Sequence, residues 1–301
     1  MAMTLNGPFT IRVLTAFIRE ELAKAGFSKA VLGLSGGLDS AVCAGLAARA
    51  LGPKSVLALI MPYGTSFSAD MDDAREAARA FKIRSLVIDI APMVDAYFAA
   101  FPAGRSGWLR KSDHGRSTGR SSMRLGRDDG GSAGRVRIGN KMARERMSIL
   151  YDVSAREKAL ILGTSNKTEL LIGYGTIHGD MACAINPLGD LYKTQVRQLA
   201  AELGVPAKIR AKQPTAGLWA GQTDEGELGL TYAEIDKILY ALVDERESRA
   251  EVIAGGFKKK AVDMIVARMK ASEFKRQMPP VAKISSRTIG HDFLYPYDWD
   301  K

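Results

Sequence analysis

The apolar run Ala30-Val31-Leu32-Gly33-Leu34 passes without a polar spacer into Ser35-Gly36-Gly37-Leu38-Asp39-Ser40. An uninterrupted run of this kind predicts a strand covered on both faces, as in a parallel sheet. The adjacent glycines allow a sharp turn, and Asp39 to Leu51 then reads as a helix. A strand that feeds through glycines into a helix aims main-chain N–H groups and the helix's positive end at one point, which is the geometry that binds phosphate. Ser35 and Ser40 add hydroxyl donors, and Asp39 offers a carboxylate able to hold magnesium. The loop has neither the Gly-Lys-Ser or Gly-Lys-Thr ending of a Walker loop nor a Gly-x-Gly-x-x-Gly fingerprint.

Around this unit, β-branched runs alternate with helical patterns, which predicts an α/β fold: a doubly wound parallel sheet flanked by helices. A helix is expected over Pro8 to Ala25, with Ile11, Leu14, Phe17, Ile18 and Leu22 on one face and Gly26 as its stop. Further strands are expected at Val56 to Met61, Leu86 to Ile90 and Ala159 to Leu162. Helices are expected over Ala69 to Phe81, from Pro92 to Phe101, from Asn140 past Tyr151, and from Lys193 to Leu203. Thr231-Tyr232-Ala233-Glu234 reads as a capping box opening a helix to about Val243. No internal repeat is visible.

Composition limits the alternatives. At 301 residues and 46% hydrophobic, the chain can bury a large core, and 1–301 reads as a single domain with a helical C-terminal extension over 230–301. Its apolar stretches are strand-sized, and Met1 to Thr10 shows no export signal, so a cytoplasmic protein with no membrane segment is expected. Net charge is +10, but Ala103 to Ile138 holds nine Lys or Arg against three Asp, and so supplies +6 of it. That stretch also has eight Gly and six Ser, which predicts a flexible basic insertion over 103–138; an ordered lid or a nucleic-acid arm is the alternative. Cys43 and Cys183 form no C-x-x-C pair, which counts against a disulfide, a zinc site or sulfur-transfer chemistry.

The glycine loop resembles the pyrophosphate loop of ATP pyrophosphatases, which implies an adenine nucleotide alpha-hydrolase-like, Rossmann-like fold. A train of later strings narrows the resemblance: Gly139-Asn140, Ala143-Arg144-Glu145-Arg146-Met147, Leu162-Gly163-Thr164-Ser165-Asn166-Lys167-Thr168-Glu169, Gly173-Tyr174-Gly175-Thr176, Gly179-Asp180, Lys193-Thr194, Lys212-Gln213-Pro214-Thr215-Ala216 and Gln222-Thr223-Asp224-Glu225. In order and spacing these resemble the NAD synthetase family, over nearly the whole chain outside the insertion. Other pyrophosphate-loop amide-forming or tRNA-modifying enzymes share the loop but not the train.

The resemblance implies ATP-dependent amidation of deamido-NAD with ammonia, through an acyl-adenylate, giving NAD, AMP and pyrophosphate in a magnesium-dependent homodimer. Carried over by position, it implies ATP contacts at Gly33, Leu34, Ser35, Gly36, Gly37, Leu38, Asp39, Ser40, Thr164, Lys193 and Thr215. It implies magnesium ligands at Asp39 and Glu169, and deamido-NAD contacts at Arg144, Asp180 and Lys275. Several positions depart from the small bacterial form: Ile177 stands where lysine is common, His178 for tyrosine, Ala184 for aspartate and Phe274 for histidine. The strings from Asn166 to Lys193, with Pro279-Pro280 and Lys283-Ile284-Ser285, lie nearer the synthetase half of glutamine-using members. With the loop already at Ser35, no glutaminase domain is expected, and free ammonia or a separate glutaminase supplies the nitrogen. His178 and His291 read as structural histidines, and Phe293, Tyr295, Tyr297 and Trp299 as packing residues.

Overall fold

A computed structural model describes residues 3–64, 68–100, 132–215, 223–290 and 292. Four parallel strands, β1 (Ala30–Gly33), β2 (Val56–Ile60), β3 (Arg84–Val87) and β4 (Leu160–Ile161), form one sheet in the order β3-β2-β1-β4. The chain moves outward from β1 through β2 to β3, then returns to the other side of β1. The order therefore reverses between β1 and β4, and in open α/β sheets a crevice opens at that reversal, beyond the strands' carboxyl ends.

Alternating side chains on the strands divide the core into two layers. Leu32 of β1 and Val56, Ala58 and Ile60 of β2 face α1 (Gly7–Lys24), α2 (Leu38–Leu51), α3 (Ser68–Ala80) and α7 (Lys193–Leu203). Val31, Leu57, Leu59 and Ile161 face Val94 of α4 (Ala91–Ala100) and Met142, Met147, Leu150 and Val153 of α5 (Ser132–Glu157). With apolar partners on both sides β1 has no need of polar residues, which explains its continuous run. Each fully buried leucine of this core contributes about 1.5–3 kcal/mol. Close packing of α2 depends on its small residues: a Cβ on Gly45 would lie 2.9 Å from the Phe81 ring.

A third cluster joins α6 (Lys167–Ile172), α9 (Asp224–Leu228), α10 (Tyr232–Val243), α11 (Arg249–Ala254) and α12 (Lys259–Ala271) through Ile172, Leu228, Ile235, Leu239, Val252 and Ile265. The short α8 (Ala207–Ala211) follows α7. The expected Thr231 capping box is present, with Thr231 Oγ1 accepting from Glu234 N and Glu234 Oε2 accepting from Thr231 N.

Several boundaries differ from expectation, the largest in α5 and β3. Helix α5 begins at Ser132 rather than Asn140, so the last seven residues assigned to the insertion are helical; residues 103–131 lie outside the described residues, as do His291 and the aromatic residues at 293–299. Strand β3 starts two residues before Leu86 and ends at Val87, three residues short of the expected Ile90, and Leu86 and Val87 are exposed at the sheet's edge. Among the described residues no helix is long and apolar enough to cross a membrane.

Candidate active site

A cleft of about 600 Å³ opens at the reversal between β1 and β4. Its floor is the loop after β1. Gly36 has φ +78, a left-handed conformation that favours glycine, and a Cβ there would stand 2.2 Å from the main-chain oxygen of Asp70. The loop is thus pressed against the first turns of α3. Ser35 N donates to Ser40 Oγ (3.2 Å), Gly37 N donates to Ser35 Oγ (3.2 Å), and Ser40 Oγ donates to Gly37 O (3.0 Å). These bonds hold the turn closed with its own side chains. Helix α2 has no side-chain cap at Gly37, so the amides of its first turn remain to meet an anion.

Charge gathers where α2, α6 and α7 begin. Lys193 opens α7 and is 4% exposed; its Nζ contacts Asp39 Oδ2, lies 3.4 Å from Glu169 Oε1 and sits 5.2 Å above the Tyr232 ring. Burial works against the ammonium's charge, but Asp39 and Glu169 hold its pKa above the ordinary lysine value. Burial pushes the Glu169 carboxyl up, while Lys193 pulls the other way and Asp39 adds repulsion. The Asn166 side chain, wholly buried, accepts from Glu169 N and donates to Asp39 Oδ1 at 3.0 Å. Asn166 and Glu169 complete a capping box on α6, which fixes the Glu169 carboxylate beside Asp39.

Removing the central cation leaves two carboxylates facing each other. Lys193→Met is therefore expected to lose about 2 kcal/mol, less than for a fully buried pair because both acids keep some access to water. Urea unfolding checks this, and millimolar divalent cation should restore part of the loss.

The far wall carries Thr176, Asp180 and Lys275. Asp180 Oδ1 accepts from Thr176 N (2.8 Å), and Lys275 Nζ donates to Gly173 O (2.9 Å) and Gly175 O (2.8 Å). Thr164 and Thr215 also line the cleft, so the structure brings together every expected residue except two. Gly36 lies beneath the floor rather than on it. Arg144 is exposed and donates Nε to Ile177 O (3.2 Å), whereas Arg146, two positions along α5, lines the cleft with Nε bonded to Met61 O (2.9 Å). Other lining groups stand in the motif strings quoted above without a role assigned to them there. Lys212 bonds Asp73 Oδ2 (2.7 Å) and Asp70, and the Tyr174 hydroxyl lies 3.0 Å from Asp224 Oδ1 and 2.8 Å from Glu227 Oε2.

Burial raises the pKa values of both Cys43 and Cys183 above the ordinary thiol value, which disfavours the thiolate form. Among the described residues no group of three or more His, Cys, Asp or Glu could hold a metal. Asp39 and Glu169 nevertheless form a two-carboxylate donor set of hard oxygens. That set suits magnesium, which takes one or two protein carboxylates and fills its remaining positions from phosphates and water.

A glycine-loop cradle at a parallel sheet's switch point, beside paired carboxylates and a buried lysine, defines a nucleotide-binding α/β protein of the pyrophosphate-loop type. Residues 10–279 match the NAD synthase family, and the chain belongs to it. It is 49% identical over 299 residues to an NH(3)-dependent NAD(+) synthetase of Trichlorobacter lovleyi, covering 99% of both chains. Among solved structures it is similar to an NMN synthetase from Francisella tularensis (TM-score 0.75) and to an NH3-dependent NAD synthetase from Campylobacter jejuni (TM-score 0.71). Each of these two is 31% identical, and the match covers 93% of this chain and all of the other.

Proposed function

We propose that this chain is an ammonia-dependent NAD synthetase that joins ammonia to the nicotinate carboxylate of deamido-NAD at the expense of ATP, releasing AMP and pyrophosphate. The observation that carries this reading is the meeting of Asp39, Glu169 and Lys193 directly above the glycine loop. The whole-length likeness to a protein named for that activity supports it.

A carboxylate resists amide formation until one of its oxygens becomes part of a good leaving group. Transfer of AMP from ATP to that oxygen makes AMP the leaving group for ammonia. The transfer spreads negative charge over the phosphates, so catalysis rests on fixed positive groups rather than on a nucleophilic side chain. The main-chain amides in the first turn of α2, Leu38 to Ser40, take the departing pyrophosphate, and Lys193 turns from the carboxylates to the phosphates. Thr164 and Thr215 bound the nucleotide, while Asp180 and Lys275 with Arg146 shape the wall reserved for deamido-NAD. Asp39 and Glu169 would hold a magnesium ion, which when bound would supply charge neutralisation at the phosphates. The molecule works as a cytoplasmic homodimer. The exposed Leu86, Val87, Met93, Tyr97 and Tyr151 support that reading, since they are apolar surface for a second copy to cover.

The test is direct. Incubated with ATP, magnesium, ammonium and deamido-NAD, the protein is expected to form AMP and NAD in equal amounts, and several-fold faster than when nicotinate mononucleotide replaces the dinucleotide. AMP formation without amide product, or preference for the mononucleotide, would overturn the substrate assignment.

A further inference from the structure

We propose that Asp236 is a positioning residue for the ATP-dependent step, its buried carboxylate fixing the two helix starts that carry Glu169 and Lys193. The proposal rests on the reading that those two side chains serve ATP and its metal ion.

Asp236 lies on α10, in the C-terminal helical cluster, and is 0% exposed. Its hydrogen-bond donors are uncharged: Thr168 Oγ1 donates to Oδ1 at 2.6 Å and Thr194 N donates to Oδ2 at 2.8 Å. An ionised carboxylate without a bonded cation is costly to bury, and an aliphatic side chain would fill the same space without that cost. What the acid adds is geometry. Thr168 sits in the first turn of α6 beside Glu169, and Thr194 in the first turn of α7 beside Lys193. The Thr168 hydroxyl, having donated to Asp236, also accepts from Lys193 N at 3.0 Å. One carboxylate therefore ties α6 to α7 through both its oxygens, and the threonine between them, itself fully buried, closes the link.

The consequence falls on the cleft. Glu169 and Asp39 both meet Lys193 at the cleft, and the main-chain positions of Glu169 and Lys193, on two different helices, are set from behind by this network. Lys193 must swing its ammonium from carboxylates to phosphates while its backbone stays still. Freed of Asp236, α6 and α7 can shift relative to each other, and a displacement of about 1 Å in a positioning group lowers rates by up to about 10²-fold. Asp236 is not among the residues that line the cleft, so its effect passes through its neighbours.

Asp236→Asn and Thr168→Val test the idea, with kcat, the KM values for ATP and ammonium, and the melting temperature as readouts. Asparagine keeps an acceptor for Thr194 N but loses the second oxygen, while valine removes the hydroxyl link alone. Each variant is expected to lower kcat/KM for ATP about tenfold with the KM for ammonium unchanged. The double variant should lose no more than the worse single one, as members of one network do. A folded Asp236→Asn protein with a lowered melting temperature but kcat/KM for ATP within twofold of the parent would overturn the proposal. So would equal scaling of all activity with the folded fraction. Should Asp236→Asn fail to fold, Thr168→Val carries the same two outcomes. Lys193→Met, measured alongside, separates the layers. If it leaves ATP use intact, the reading of the site fails; if it cripples ATP use while the other two variants do not, only the positioning role fails.

Discussion

Replacing Asp39 with asparagine is expected to lower AMP and NAD formation by about 10²–10³-fold while the chain stays folded, the size of loss seen when one preorganised charge-stabilising group is removed. Asparagine preserves the shape of the side chain and can still accept from Asn166 Nδ2, now 3.0 Å from Asp39 Oδ1. It loses only the negative charge that faces Lys193 and would hold the metal ion. Lys193 keeps Glu169 at 3.4 Å as a counter-charge, so the fold retains a partner for its buried ammonium. Alanine is the poorer test, because it empties both contacts and mixes lost chemistry with lost stability. The measurement is turnover at saturating magnesium beside a thermal melt. A melt within a few degrees of the parent with near-normal turnover would remove Asp39 from the chemistry.

How much of this was legible in the sequence depends on how local each feature is. The β1 run, the glycine pair and the start of α2 are contiguous, and their pattern follows from burial on both faces and from the demands of a tight turn. The order of strands is not contiguous information. Strand β4 has only two residues, with Leu162 continuing as a single bridge to Ile185, yet it creates the switch point at which the cleft opens. Arg144 and Arg146 show a different limit. Residues two apart on a helix differ by roughly 200° in direction, so knowing which of them faces the cleft needs the helix's phase against the sheet. The many charged residues around them blur that phase. Asp236 was illegible for a third reason: on an amphipathic helix an acid reads as a solvated face. Only the approach of Thr168 and Thr194, far away in sequence, shows it to be inside. The Ser132–Ile138 turns of α5 also read as loop, because glycine and arginine there give no apolar period.

Gly36→Ala is expected to destabilise the chain by about 2–5 kcal/mol and to raise the KM for ATP, even though alanine adds a single methyl group. Two costs combine. At φ +78 an alanine adopts a left-handed conformation, worth about 1–2 kcal/mol. Its Cβ would also stand 2.2 Å from Asp70 O, and forcing a methyl into a filled space costs about 1–3 kcal/mol more. Helix α3 cannot retreat to relieve the overlap. Lys212 holds Asp73 at 2.7 Å and also bonds Asp70, while Lys208 reaches Asp73 from α8 at 2.6 Å. The loop must move instead, away from the line along which its amides converge. Gly37→Ala is the internal control. Residue 37 has an ordinary φ of −88, and a Cβ there would meet only Ser35 Oγ at 3.2 Å, so its stability should change by under about 1 kcal/mol. Urea unfolding of both variants, with KM for ATP on the folded proteins, checks the pair. If Gly36→Ala is as stable as Gly37→Ala, the floor of the cleft is not the rigid cradle that its contact with α3 implies.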